Sequence, residues 1–261
     1  SEMIYLSLDE KVKIAKTVVE TVKASGKNVS VVASGHNSDD MNAQIEEVTA
    51  MAQTGVDAIV WVSNRLDLHN DGDDIWIKNA EYLLSKLPED IAIGIYECPY
   101  PYKRILTPKI LDWCISTGRF TFIKDTCCDP DMLVARLEQL KGTGIKLYNA
   151  NSQTFLYTLQ HGAAGFSGIM GNFHPDIYAW MCENYDKEPE KAKKVQSFIT
   201  LYAFLEVLAY PQTAKYHMNK VGVPMSLWSR SCDQKKFTKY QRMIIDDMMI
   251  SEDIVREMIK K

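Results

Sequence analysis

A lysine at the end of an apolar run is the residue in this chain best suited to covalent chemistry. The run is Phe120-Thr121-Phe122-Ile123-Lys124-Asp125-Thr126. A second run upstream, Ile91-Ala92-Ile93-Gly94-Ile95-Tyr96-Glu97, ends in a tyrosine and breaks at Pro99. Burial disfavours the charged form of an amine and lowers its pKa. A neutral amine adds to carbonyl groups and forms a Schiff base, and a tyrosine ending another strand can move the protons this requires. The first expectation is therefore carbonyl-handling lyase chemistry, with Lys124 as nucleophile and Tyr96 as acid and base. The competing reading is a lysine that faces solvent, because lysine is rarely fully buried. Strict alternation puts Phe120, Phe122, Lys124 and Thr126 on one face. Two aromatics ahead of the lysine mark that face as a core face.

Composition narrows the class. With 261 residues and 46% hydrophobic content, the chain can bury one large domain, or one domain and an appendage. A net charge of -4 and the lack of a long basic run argue against nucleic acid as a main partner. The longest apolar stretches are strand-sized and interrupted, so no membrane span is expected. No basic start followed by a long apolar core opens the chain. Six scattered cysteines without C-x-x-C spacing read as reduced thiols of a cytoplasmic protein. Cys127 and Cys128 either pack or present one thiol to a pocket. The five histidines lack metal-ligand spacing, so no metal is expected.

The elements that must position Lys124 alternate between strand and helix. Ser7 and Glu10 read as a capping box that starts a helix running to Gly26. Strands are expected at 29–33, 58–62, 91–97, 120–126, 145–149 and 165–169. Helices follow at 108–118, 130–141 and 152–161, and Asn37 or Ser38 is expected to cap the helix ending near Gly55. Repeated units with continuous apolar strands imply a parallel sheet. Beyond about 175 the pattern is helical only, near 187–209, 211–220 and 235–260. This gives an α/β portion over 1–175 and a helical domain over 176–261. A doubly wound sheet calls for a Gly-rich phosphate turn after its first strand, and Gly35-His36-Asn37-Ser38 is not one. A (β/α)8 barrel carries its chemistry at the C-terminal strand ends, where Tyr96, Lys124 and Asn149 all fall.

At these residues the chain resembles the dihydrodipicolinate synthase and N-acetylneuraminate lyase family of class I aldolases. Ile95-Tyr96-Glu97-Cys98-Pro99 is similar to its Tyr-Asn-x-Pro segment, and Phe122-Ile123-Lys124-Asp125-Thr126 to its Gly-Ile-Lys-Asp segment. The stretch from Gly162 to Asn172 resembles its Gly-Ala-x-Gly strand, and Tyr210-Pro211, Lys215 and Arg230 resemble landmarks of its C-terminal helices. The resemblance implies a (β/α)8 TIM barrel followed by a helical bundle. It also implies a Schiff base between Lys124 and pyruvate or a related 2-keto acid, with Tyr96 as proton relay. No dissociable cofactor is implied, since the iminium is the electron sink. A homo-oligomer, dimer or tetramer, is expected on the same ground.

Departures from the pattern shape the remaining expectations. The family's Gly-x-x-Gly-Glu turn falls where Ser1-Glu2 stands, so two strand–helix units of roughly 50 residues are expected to be missing from the start of the barrel. A truncated, inactive paralogue is the alternative. Tyr100-Pro101-Tyr102 follows Pro99 in place of a carboxylate-binding arginine, for which Lys103 or Arg104 is a stand-in, and Asn64-Arg65 replaces a tyrosine pair. Dihydrodipicolinate synthase itself is therefore not the expected activity. A sugar-acid-derived keto acid is preferred, with a non-catalytic binder of a keto acid or protein, or a Schiff-base dehydratase, as alternatives. Glu97 reads as a base at the substrate or as a structural carboxylate. Ser167 and Gly168 either receive a carboxylate or sugar hydroxyl or simply allow close packing. Asn149 and Asn151 either contact substrate or form a helix-capping turn ahead of Gln153.

Overall fold

The computed structural model describes residues 2–260 and holds six strands joined by helices. In chain order these are α1 (Leu8–Ser25), β1 (Val32–Ala33), α2 (Met41–Ala52), β2 (Ala58–Val62), α3 (Asp73–Leu84), β3 (Ala92–Tyr96) and α4 (Pro108–Thr117). There follow β4 (Phe120–Asp125), α5 (Pro130–Leu140), β5 (Lys146–Asn149), α6 (Phe155–Gln160) and β6 (Gly165–Phe166). The helices α7 (Pro175–Asn184), α8 (Pro189–Tyr202), α9 (Gln212–Lys220) and α10 (Lys239–Lys260) complete the chain. The strands form one sheet in the order β1-β2-β3-β4-β5-β6, and the pairings of β1 with β2, β2 with β3, β3 with β4 and β5 with β6 are parallel. Among the described residues no helix is long and apolar enough to cross a membrane.

Local chemistry explains the element ends. The Ser7 hydroxyl accepts the Glu10 N–H at 3.3 Å and the Glu10 carboxylate accepts the Ser7 N–H at 2.9 Å, closing the capping box at the start of α1. At the other end Gly26 takes a φ of 64°, the left-handed turn that glycine adopts without Cβ strain. The cap of α2 is Asp40, whose carboxylate accepts the Ala43 N–H at 3.0 Å, rather than Asn37 or Ser38. Those two are taken, since both donate their N–H to Glu47 Oε2, at 2.9 and 3.0 Å. The expected strand at 29–33 shrinks to two residues. Val29 and Val32 are exposed, and within the described sheet β1 has a neighbour on one side only, so the apolar run there does not signal burial.

The described residues divide into two compact units, Met3–Leu147 and Tyr148–Lys260 with Glu2. The division falls inside β5, whereas composition places it at 175. Its reason is that Phe155, Leu159 and Met170 share one apolar core with Ile177, Val195, Ile199, Ile245 and Val255. The last strand–helix pair is therefore packed with the C-terminal helices. In the first unit Trp61 meets Phe120 edge-on at 5.6 Å, and Trp76 meets Trp113 at 5.7 Å. Trp61 and Trp76 are fully buried and Trp113 is half-buried, and full burial of a large apolar side chain contributes about 1.5–3 kcal/mol.

The helical unit also buries charge. Glu252 on α10 accepts from His174 Nδ1 at 3.0 Å and from His217 Nε2 at 3.0 Å, and all three side chains are fully buried. Arg256 Nη1 adds a contact at 3.1 Å. Although burial opposes it, hydrogen bonds from both histidines hold the Glu252 carboxyl down at about 2. A depressed carboxyl stabilises the fold above its unfolded value and ceases to do so as pH falls through the folded one.

Two outcomes are expected. Acid titration of the protein should remove on the order of 3 kcal/mol of stability between about pH 4.5 and pH 2 through this group, and Glu252→Gln should flatten that part of the profile in urea unfolding. Gly94→Val should cost about 1–3 kcal/mol by overpacking, because a Cβ there lies 2.2 Å from the Phe122 ring.

Candidate active site

Pairing of β3 with β4 brings the two chemical residues together. Tyr96 is the ladder partner of Lys124 at the C-terminal ends of these parallel strands. Lys124 Nζ lies 4.3 Å from the centroid of the Tyr96 ring, and both residues are half-buried. The alternation that places them differs from strict period two. The register shifts between Ile93, which pairs with Phe120, and Gly94, which pairs with Phe122. Thr121 is thus an extra residue, a bulge that re-aims the strand. Phe120 packs with Trp61 and Trp113, whereas Phe122 and Lys124 share the face of Gly94 and Tyr96. Gly94 is glycine because the Phe122 ring lies where its side chain would go.

The residues that follow Tyr96 and Lys124 are both acids, and one arginine holds both. Arg136 of α5 sends Nη2 to Glu97 Oε1 at 2.7 Å and Nη1 to Glu97 Oε2 at 3.2 Å, and Nη1 also meets Asp125 Oδ2. Nη2 also donates to the Leu106 carbonyl at 2.6 Å. The Glu97 oxygens further accept the N–H groups of Leu106 at 2.7 Å and Thr126 at 3.0 Å. Glu97 and Asp125 are fully buried. Burial pushes the Glu97 carboxyl up, Arg136 pulls it down, and the neighbouring Asp125 charge raises it again, leaving it above its ordinary value. Glu97 is therefore a buried structural carboxylate with both oxygens occupied, and it is closed to a substrate in this geometry.

The loop after β3 is pinned by Asn64. Its Nδ2 lies 2.9 Å from the carbonyls of Cys98 and Tyr100 and 2.6 Å from that of Tyr102. Of the two candidate stand-ins for the family arginine, Arg104 is buried and committed, with Nε on Asp67 at 2.8 Å and Nη2 on Asp73 at 2.8 Å. Lys103 is exposed and donates to the Thr126 carbonyl at 2.7 Å, just past the end of β4. A cavity of about 460 Å³ opens at the ends of β1, β2 and β3, lined by Tyr5, His36, Asn37, Val62, Arg65 and Cys98 among others. Val62 is the ladder neighbour of Tyr96, so this cavity begins one strand from the tyrosine. Within it Arg65 pairs with Asp39 at 2.5 Å. Burial lowers His36 to about 4, so the ring is neutral. It accepts the Val62 N–H on Nδ1 at 2.9 Å and bonds Gln44 through Nε2 at 2.8 Å.

The remaining candidates belong to the other compact unit. Asn149 is fully buried, donating to the hydroxyls of Thr154 at 2.9 Å and Thr158 at 3.1 Å and accepting the Asn151 N–H at 2.7 Å. Asn151 accepts the Thr154 N–H at 3.0 Å and donates to Gln153 at 2.9 Å. Both asparagines thus build the turn into α6. The Ser167 N–H is used on the Asn149 carbonyl at 2.8 Å, which leaves its hydroxyl for any ligand. Gly168 packs so closely that a Cβ would lie 2.5 Å from the Ala150 carbonyl, the close-packing reason for a small residue.

Arg136 is the residue the sequence reading missed. The signal was available: Leu133, Arg136, Leu137 and Leu140 fall at i, i+3, i+4 and i+7, so an arginine sits on the buried face of α5.

Comparison with known proteins agrees with the motif and the fold. No protein-family model matches the chain. The 4-hydroxy-tetrahydrodipicolinate synthase of Clostridium perfringens strain SM101 is 26% identical over 180 residues, 69% of this chain and 59% of that protein. The enzyme of the same name from Corynebacterium diphtheriae is 24% identical over 192 residues, 73% of this chain and 60% of that protein. Sequence relates this chain to the dihydrodipicolinate synthase family. The chain spans about three fifths of the length of these relatives. A prophage protein of the dihydrodipicolinic acid synthase family from E. coli K12, solved with pyruvate, superposes with a TM-score of 0.78 at 18% identity, covering 94% of this chain and 82% of its own. Dihydrodipicolinate synthase from Acinetobacter baumannii, also complexed with pyruvate, gives 0.75 at 18% identity, covering 94% and 81%. The fold is therefore the TIM-barrel type of the dihydrodipicolinate synthases, seen here as six parallel strands with their helices.

Asn64→Ala should remove the two amide hydrogens shared by the carbonyls of Cys98, Tyr100 and Tyr102 and cost about 1–3 kcal/mol, with faster amide exchange confined to 98–104. Unchanged exchange in that loop would show that Asn64 does not hold it.

Proposed function

We propose that this protein is a cytoplasmic class I lyase or aldolase that forms a Schiff base between Lys124 and pyruvate or a related 2-keto acid. The observation that carries the reading is the Tyr96–Lys124 ladder pair, with the amine 4.3 Å from the phenol ring. The amine adds to the C2 carbonyl, and the resulting carbinolamine loses water to give an iminium. Tyr96 delivers and removes the protons of these steps. The iminium accepts the electron pair of the C3–C4 bond as that bond breaks, or of a C3–H bond on the way to an enamine. The strand ladder holds amine and phenol in place before substrate arrives, the kind of positioning that lowers a barrier without new contacts.

The rest of the substrate belongs, on this reading, over Val62 toward the cavity lined by His36 and Arg65. Arg104 is spent on Asp67 and Asp73, and Asn64 is spent on the loop. These commitments favour an acceptor other than that of dihydrodipicolinate synthase, with a keto-deoxy sugar acid as the preferred class. The Ser167 hydroxyl and the Gly168 backbone remain proposed substrate contacts; Asn149 and Asn151, engaged in their own turn, support that role only through their flanking positions. The reading takes the six strands as part of an eight-stranded barrel with α7–α10 as its C-terminal bundle, and a homo-oligomer as the working form.

Borohydride reduction in the presence of pyruvate should yield a covalent adduct that peptide mapping assigns to Lys124. Tyr96→Phe should slow adduct formation by about 10²–10⁴-fold, and Lys124→Ala should abolish it. If no 2-keto acid from a panel gives an adduct on the wild-type protein, the lyase reading falls and a keto-acid binder takes its place.

A further inference from the structure

We infer that Arg136 is a positioning residue for the Tyr96–Lys124 pair, setting the place and reactivity of the amine through the two acids that follow them in sequence. The inference rests on and deepens the Schiff-base reading, and names a residue outside the reacting pair. Glu97 directly follows Tyr96, and Asp125 directly follows Lys124. Successive strand side chains point to opposite faces. Holding Glu97 and Asp125 on the helix side therefore orients Tyr96 and Lys124 on the other side.

Arg136 does this with one rigid group. Its planar fork reaches both Glu97 oxygens, Asp125 Oδ2 and the Leu106 carbonyl, a geometry that a lysine point charge does not reproduce. The backbone closes the arrangement. Glu97 N–H donates to the Lys124 carbonyl at 3.3 Å, Thr126 N–H to Glu97 Oε2 at 3.0 Å, and the Thr126 hydroxyl to the Glu97 carbonyl at 2.6 Å. Strand ends in parallel barrels lack further ladder partners beyond the last pair. Here the clamp replaces those partners at the very residues where chemistry is placed. The two acids and one arginine also form a buried charge group one residue from the amine, so altering it changes the field that Lys124 feels.

The test compares Arg136→Lys and Asp125→Asn with wild type and with Leu140→Ala, which weakens α5 without touching the clamp. Reductive methylation by formaldehyde and cyanoborohydride is followed across pH by peptide mass mapping, with Lys124 read against exposed Lys141 in the same molecule. Pyruvate trapping is measured on the same samples. In folded Arg136→Lys or Asp125→Asn the Lys124-to-Lys141 rate ratio should change at least about tenfold, with a displaced pH midpoint, and trapping should slow in parallel. Leu140→Ala should leave the ratio within about threefold of wild type while lowering thermal stability. A wild-type profile in both clamp variants, or an equal change in Leu140→Ala, overturns the inference. If pyruvate traps nowhere on wild type but the labelling ratio still moves with the clamp, the Schiff-base reading fails and the positioning role stands.

Discussion

The architecture at the C-terminal ends of β3 and β4 rests on one guanidinium shared between two buried carboxylates. Arg136, Glu97 and Asp125 are almost fully removed from water. Breaking such a group by removing one partner costs about 3–5 kcal/mol, because it strands a buried charge. Burial first, and then the neighbouring Asp125 charge, keep the Glu97 carboxyl raised against the pull of Arg136. The same three residues tie the end of β3, the end of β4, the middle of α5 and the loop leading into α4. What is placed on the opposite side of those strand ends, the lysine and the tyrosine, inherits its position from that tie.

A second layer of buried polar groups shapes the loops around the strand ends. Lys11 reaches from α1 to the Gly35 carbonyl at 3.0 Å and to Glu47 at 3.1 Å, and Glu47 in turn holds the backbone of Asn37 and Ser38. Asn64 holds the loop from Cys98 to Tyr102, and Asp67 holds Arg104 and the N–H of Asp71 at 2.7 Å. In each case a side chain supplies the partners that a loop backbone lacks, since buried carbonyl and N–H groups left unpaired are costly. The cavity beside Val62 is therefore walled by residues whose polar atoms are largely committed to one another. Its chemistry toward a ligand reduces to a few groups, of which the Arg65–Asp39 pair is the charged one.

The relation to the dihydrodipicolinate synthases and the local geometry speak to different questions. The similarity to solved dihydrodipicolinate synthases accounts for the parallel sheet and its helices. The local geometry adds the place of Glu97 and Asp125 beside the tyrosine and the lysine, with Arg136 of α5 holding both.

Much of the fold was legible in the amino-acid sequence because it rests on local physics. The capping box at Ser7, the left-handed stop at Gly26, the strands β2 to β5 and the helices between them follow from periodicity and short-range hydrogen bonds, whereas the runs at 29–33 and 165–169 keep two strand residues each. Lys124 and Tyr96 were visible for the same reason, as polar residues ending apolar runs. Tertiary structure alone decided the rest. The Thr121 bulge moved Phe120 to the opposite face, a register effect that depends on the partner strand. Glu97 became a buried counter-charge because an arginine 39 residues away in sequence reaches it. Arg104 was withdrawn from the substrate by Asp67 and Asp73, and β6 joined the core of the C-terminal helices. Each of these turns on pairing between distant segments, where desolvation and charge compensation choose partners that local spacing does not encode.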